Sequence, residues 1–553
     1  MVVSVVVTKR SKMSTKFDVF SNKFAQDIFN QKYSLNGQET WADTSKRVVD
    51  AVCGQLLSPE DKESIYKAIL ERKFIPGGRY LYSAGRPFHQ VNNCFLFRAE
   101  DSREGWADLM YKVTSALMTG GGIGVDYSAL RPEGALVKRT GGFSTGPIAL
   151  MNMVNEAGRN IMQGGQRRSA IYASLNWKHA DVFKFLKLKD HSPELRAQKE
   201  KDFNFVLPME LTNISVNYDT EFFIAIDDEK HPLHSHAKAV YELNCKQAFS
   251  TAEPGFSFNF RKDNETLRNA CCEVVSEDDS DKCNLGTIWI NRIKDKKELR
   301  KITKAATMFL LCGGIYSDVP NDKIKEVGLK NNRIGLGLGG IHEWLMSRGM
   351  KYEVTPELHS WLKVYEDESD SAAFIGAKLL NVAVPKGVRA IAPTGTIGIM
   401  AETTTGIEPL FCKAYKRRYF KEGKWMYQYV VDGAVKRLLE QGVKIEDIQD
   451  SYDLDFKTRV KFQADVQNYV DMAISSTCNV ASWGSAENNE ETIDKNSKVL
   501  LKYAKRLRGF TMYPDGCRGG QPLTRVSLEE ALANEGVVFE EQVSECVGGV
   551  CGL

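Results

Sequence analysis

Asn269-Ala270-Cys271-Cys272-Glu273, with Cys283-Asn284-Leu285-Gly286 close behind it, is the stretch on which the reading of this chain turns. An amide, a thiol and a carboxyl fall within five residues. In an extended stretch alternate side chains project the same way, so Asn269, Cys271 and Glu273 are expected to face one pocket. A thiol flanked by a carboxyl and an amide suits chemistry on a hydroxylated substrate. Sulfur makes the first attack, the carboxyl moves protons and the amide holds a hydroxyl. By itself, a match this short also arises by chance.

Further out, Cys94 follows Asn92-Asn93 and, like Cys283, stands beside asparagine and ahead of a β-like run. The two can meet in a barrel as a reducible pair, although either alone reads as an inert buried thiol. The chain ends Cys546-Val-Gly-Gly-Val-Cys551-Gly-Leu. Two thiols on a mobile end add nothing to a core and are open to oxidation. Exchange with an internal disulfide gives them a purpose. This distribution points to an enzyme that consumes thiol electrons each turnover and is re-reduced from outside.

The 553 residues, 42% hydrophobic and 26% charged, allow one large domain with extensions or three or four smaller ones. A net charge of +3 makes no case for nucleic acid or a membrane surface as partner. No apolar run approaches the ~18 residues of a spanning helix, and the apolar opening Met1 to Val7 reads as a strand rather than a signal peptide. Twelve cysteines without an export signal read as reduced thiols in a cytoplasm. With no Cys-x-x-Cys, no structural metal site is expected.

Three regions are expected: a mainly helical 1–85, an α/β body over 86–525, and a flexible tail over 526–553. Residues 16–32 and 44–57 carry helical periodicity. In the body, β-like runs at Phe95–Phe97, Thr287–Ile290, Arg389–Ala392 and Gly509–Tyr513 alternate with helical stretches at 106–119, 301–311, 368–380 and 496–506. The runs are numerous enough for a barrel.

Ala392-Pro393-Thr394-Gly395-Thr396-Ile397-Gly398 follows such a run, and its hydroxyls and backbone N–H groups suit a phosphate at a helix start, or simply a polar turn. Gly335, Gly337 and Gly340 satisfy G-x-G-x-x-G, but without the acidic residue of a dinucleotide site; these glycines are expected to let a helix pack tightly on a strand. Thr119-Gly-Gly-Gly-Ile-Gly124 is weak for a P-loop. Arg131 to Gly142, with Lys138, and Gln163 to Ser169, with Arg167, read as nucleotide-contacting or merely solvated basic loops.

In this order the motifs resemble the catalytic chain of ribonucleotide reductases, over about 17–553. The resemblance implies a ten-stranded α/β barrel with a central catalytic finger loop, preceded by a small helical region. It implies that Cys271 carries a thiyl radical that abstracts the ribose 3′ hydrogen, with Glu273 as base on the 3′-hydroxyl and Asn269 as its helper. Cys94 and Cys283 would reduce C2′, and Cys546 and Cys551 would shuttle electrons from a thioredoxin- or glutaredoxin-type donor. Asn93, Pro393, Thr394, Gly395, Thr396 and Ile397 would bind substrate. Asp101, Arg131, Lys138 and Arg167 would bind or relay nucleotide specificity effectors, often at a homodimer interface.

Thr511-Met-Tyr513-Pro514-Asp-Gly-Cys-Arg lacks the adjacent tyrosines used for radical transfer from a separate metal subunit. With the short interval from Cys271 to Cys283, it resembles the adenosylcobalamin-dependent class, although proline stands where that class usually carries arginine. The alternative is a radical borrowed from a ferritin-like dimetal partner. No ATP-binding cone is recognisable, so global control by ATP and dATP is expected to be missing. The compact size suits a viral enzyme working in a host cytoplasm.

Overall fold

The structure is a computed structural model that describes residues 19–138, 141–161, 169–202, 205–421, 424–517, 523–535 and 537–540. Arg167, Cys546 and Cys551 lie outside the described residues.

Ten strands form the main sheet. The first six are β1 (Phe74–Pro76), β2 (Cys94–Arg98), β3 (Gly122–Asp126), β4 (Ile171–Asn176), β5 (Thr212–Tyr218) and β6 (Gly255–Phe258). A small hairpin follows, β7 (Leu267–Arg268) and β8 (Val275–Ser276), and then β9 (Asp281–Trp289) and β10 (Ile334–Gly339). After a separate hairpin, β11 (Ala414–Lys421) and β12 (Lys424–Val431), the main sheet is completed by β13 (Thr477–Val480) and β14 (Gly509–Pro514). Two short strands end the described chain, β15 (Leu523–Arg525) and β16 (Val538–Glu540).

β2 to β6 run parallel in sequence order. Their near-continuous burial is what a parallel sheet covered on both faces requires. Helices such as Arg103–Met118 and Gly146–Asn160 supply the crossovers. β9 adds antiparallel to β2, and β10 lies parallel to β9. On the far side β14 adds antiparallel to β6, and β13 lies parallel to β14.

The run 389–392 forms no named strand; it makes two isolated parallel bridges, Leu336 to Arg389 and Ile391 to Ile474. Leu336 N donates to Val388 O at 2.9 Å, and Ser475 N to Ile391 O at 2.8 Å. This strap joins β10 to the residues just ahead of β13, so the two outer edges of the sheet are linked through it.

The hairpin β7–β8 pairs Arg268 with Val275 and carries residues 269–274 at its tip. It runs hard against β3. A Cβ on Gly124 would lie 1.7 Å from Arg268 O, and one on Gly122 would lie 3.2 Å from the Cβ of Ala270. Gly122 and Gly124 therefore make room for the hairpin, whereas Gly120 and Gly121 face the side chains of Arg79 and Phe95; close packing, rather than phosphate binding, accounts for these glycines.

The β10 glycines also differ from expectation. Leu336 and Leu338 share a core with Leu310 and Leu362 of helices Lys296–Tyr316 and Pro356–Leu379. Gly335 and Gly337 instead face Leu285 and Ala390, where a Cβ would come within 2.3 and 2.8 Å of neighbouring atoms. No helix sits on them; adjacent chain does.

Helices Lys23–Lys32, Trp41–Cys53 and Pro59–Leu70 precede the sheet. β15-β11-β12-β16 form a second sheet. Helix Leu528–Ala533 buries Ala531 against Leu410, Val431 and Val435, and Phe539 of β16 stacks on Tyr427 with ring centroids 5.5 Å apart. Within the region expected as a tail, these residues are docked on the body. No helix among the described residues is long and apolar enough to cross a membrane.

Gly124→Ala is expected to cost about 3 kcal/mol, because the obstructing atom is backbone and cannot rotate away. Thermal melting should show a large drop; a variant melting with the parent would contradict the close passage.

Candidate active site

The hairpin tip is a turn, not the extended stretch expected. Cys272 N donates to Asn269 O at 3.0 Å, and Cys272 adopts φ 70°. Asn269 and Glu273 are consequently buried, while Cys271 is exposed at the apex. Asn269 secures the turn from within: its Nδ2 donates to Cys94 Sγ at 2.8 Å, and its Oδ1 accepts from Val274 N at 2.9 Å. Asp281 secures the hairpin's exit, accepting from Ser276 Oγ and Arg333 Nε, each at 2.7 Å.

Cys94 and Cys283 are direct partners across the antiparallel β2–β9 pair. Such partners share a face at a Cα spacing of about 4.5–5.5 Å, inside the range a disulfide spans. Both thiols are buried. Burial pushes the Cys94 thiol well up, and the nearby Glu273, Cys271 and Cys283 push it further. Burial likewise raises Cys283, with Asp281 and Glu273 adding to it and Arg333 and Lys282 opposing. The Cys283 thiol donates to Asn284 O at 3.3 Å. The structure thus brings Asn269, Cys271, Glu273, Cys94 and Cys283 into one neighbourhood.

Glu273 is 1% exposed, and its Oε2 has no hydrogen-bond partner. Burial raises its carboxyl to about 7, against the opposing pull of its own backbone amide and Asn269. A carboxyl poised near neutrality with an unfilled acceptor is equipped to take a proton from a hydroxyl.

Pro393 to Ile397 form the turn into helix Gly395–Ala401. Thr394 stands at its N-cap in the left-handed conformation, φ 49°, and its buried hydroxyl has no partner. Gly395 is exposed, with open space where a side chain would be. First-turn N–H groups beside open space can receive an anion. Asn93 N donates to Cys283 O at 3.0 Å, and Asn93 Oδ1 is a buried acceptor without a partner.

Asp101 and Arg131 meet as an ion pair, Nε to Oδ2 at 2.8 Å. Arg131 therefore neutralises a carboxylate here and does not stand as an open cation. Lys138 is exposed in the following loop, where Leu136 bridges Phe143.

Sequence reasoning missed Gly122 and Gly124 as the residues that admit the hairpin. The signal was there: glycine at alternate positions of an apolar run.

The family pattern described as "Ribonucleotide reductase, barrel domain" matches residues 92–237, 196–360 and 386–513. The chain belongs to the ribonucleotide reductase family. It is 27% identical to a vitamin B12-dependent ribonucleoside-diphosphate reductase of Thermoplasma acidophilum, over 84% of this chain and 67% of that protein. It is 24% identical to a protein of the same name from Mycobacterium tuberculosis strain CDC 1551, over 98% of this chain and 86% of that protein. In fold it is similar to the Actinobacillus ureae class Id ribonucleotide reductase alpha subunit: TM-score 0.71 at 14% identity, covering 90% of this chain and 97% of that one.

The raised carboxyl of Glu273 has a consequence for stability. The folded state holds its proton to higher pH than the unfolded chain does. The stabilisation is complete below 4.5 and is lost as pH rises through about 7. Between those limits the parent should lose up to about 3 kcal/mol relative to Glu273→Gln. Urea denaturation across pH checks this; parallel pH curves for the two proteins would refute it.

Proposed function

We propose that this protein reduces ribonucleoside di- or triphosphates to 2′-deoxyribonucleotides by thiyl-radical chemistry at Cys271, with adenosylcobalamin as radical source. The observation that carries the reading is the convergence of an exposed Cys271, a buried Glu273 and the facing Cys94 and Cys283 around one hairpin tip. The names of the Thermoplasma and Mycobacterium relatives support the cofactor, as does Tyr513-Pro514 on β14 in place of a tyrosine pair. Cys271 is exposed while Asn269, Glu273, Cys94 and Cys283 are buried, which fits an oxidising equivalent delivered from outside the chain. When bound, the cofactor supplies that equivalent to the Cys271 sulfur.

The chain's own residues do the rest. The Cys271 sulfur takes the 3′ hydrogen of the ribose and later returns it. Glu273 accepts the 3′-hydroxyl proton at Oε2, and Asn269 keeps the tip and Cys94 in register. As the 2′-hydroxyl departs as water, Cys94 and Cys283 deliver two electrons and two protons and close a disulfide. Ribonucleotide and dithiol become deoxyribonucleotide, disulfide and water. Thr394 to Ile397 hold the phosphates, and Asn93 lines the sugar side. Cys546 and Cys551 exchange into the Cys94–Cys283 disulfide and are themselves reduced by a thioredoxin- or glutaredoxin-type donor. Asp101, Arg131, Lys138 and Arg167 serve nucleotide effectors, and two copies of the chain pair around them.

The test is deoxynucleotide formation by the purified chain with dithiothreitol and adenosylcobalamin. Turnover should need no second protein, and Cys271→Ser should abolish it. Activity restored only by a dimetal protein would overturn the cofactor assignment. Activity retained by Cys271→Ser would overturn the mechanism.

A second measurement concerns the terminal thiols. Serine at both Cys546 and Cys551 should nearly abolish repeated turnover driven by thioredoxin while sparing a single turnover of prereduced enzyme, because a buried disulfide is closed to a folded donor. Wild-type cycling by the double variant would remove the shuttle role.

A further inference from the structure

The helix Gly395–Ala401 is held from its far end. Arg72 Nη1 donates to Met400 O at 2.9 Å and Arg292 Nη2 to Ala401 O at 2.7 Å, while Arg437 Nη2 donates to Glu402 O. Three arginines from three separate parts of the chain thus take its last carbonyls, where positive charge also complements the helix dipole. At seven residues the helix is too short to hold its own shape.

Glu402 closes it in the left-handed conformation, φ 57°, and its N–H returns to Gly398 O at 2.8 Å. The Glu402 side chain is 2% exposed, and its Oε2 meets Arg72 Nη1 at 2.8 Å. Its Oε1 accepts from Ser21 N at 2.8 Å, Ser21 Oγ at 2.7 Å, Asn22 N at 2.9 Å and Asn22 Nδ2 at 2.8 Å. Arg72 completes the knot, donating through Nη2 to Val19 O at 2.6 Å and lying over the Phe20 ring at 5.1 Å.

Ahead of the helix the strap at 389–392 is paired on both sides, and Ile397 packs in the core. Between them the Thr394 hydroxyl is unpartnered, and open space lies where a Gly395 side chain would be. The side-chain hydrogen bonds described above reach this helix at its rear.

We propose that Glu402, acting with Arg72 and Ser21–Asn22, is a positioning residue for the substrate's phosphates. It sets how far Thr394 to Ile397 project into the site and so governs substrate affinity, not the radical chemistry. This rests on the phosphate-binding reading of residues 393–397. Charge matters in it: one carboxylate accepts five bonds, and bonds to an ionised acceptor are the strong ones.

The test uses the full chain with adenosylcobalamin and dithiothreitol, with cytidine di- and triphosphate as substrates. Glu402→Gln keeps an acceptor for Ser21 and Asn22 but removes the charge facing Arg72. KM should rise about tenfold and inorganic pyrophosphate should inhibit correspondingly more weakly, while kcat at saturation stays within about twofold. Arg72→Lys should move KM in the same direction by less, since lysine keeps the charge and loses the fork.

If Glu402→Gln does not fold, the Ser21→Ala/Asn22→Ala double variant carries the test, because it removes two side-chain donors and leaves two backbone ones. Unchanged KM in whichever of these folds, or a loss of kcat at unchanged KM, overturns the proposal. Thr394→Val and Gly395→Val separate the two levels. If neither weakens pyrophosphate inhibition, the phosphate reading fails. If they do and Glu402→Gln does not, only the positioning role fails.

Discussion

The site depends on one close passage, the backbone of the hairpin at Arg268 running along β3 where Gly124 leaves it room. An interior ring of strands is normally filled by its own side chains. Here a length of main chain takes part of that volume, and Gly122 and Gly124 leave it room. Cys94 and Cys283 belong to a small core with Leu96, Leu267, Val274, Leu285 and Met472 among its members. The Cys94 and Cys283 thiols are at the same time core residues, so their placement has the precision of packing, whereas Cys271 stands on the turn.

Burial also selects the kind of chemistry. Cys94 and Cys283 are pushed up and kept protonated, which suits them to give hydrogen and electrons and makes them poor thiolate nucleophiles. Glu273, raised to about 7, is the carboxyl that can gain or lose a proton near neutrality. Three acidic groups crowded into one apolar space cannot all ionise; the carboxyl, which starts lowest, titrates first, and its charge presses both thiols further up.

Much of this was legible in the residues. Phe95–Phe97 and Gly509–Tyr513 lie in strands β2 and β14, Thr287–Ile290 lies in β9 except for Ile290 just past its end, and the four helical stretches of the body overlap helices. The meeting of Cys94 with Cys283 was also foreseeable, because each opens toward a β-like run beside asparagine. The tip was not, since a two-residue alternation reads the same whether the chain extends or turns, and only φ 70° at Cys272 separates the cases. Nor was the strap at 389–392, whose apolar character resembles a strand but whose pairing is a matter of two bridges. Gly122 and Gly124 were missed, and Gly335 and Gly337 misread, because sequence shows that a side chain is missing without showing what occupies its place.

The passage at Gly124 also gives the fold a direction in evolution. A lineage that shed the hairpin could acquire a side chain on β3 in a single step, and packing into the vacated space would favour it. Readmitting the hairpin would then demand a reversal to glycine before any benefit from the regained loop could be felt. By this argument the hairpin tip is easier to lose than to regain, because one added methyl group on β3 is enough to bar its return.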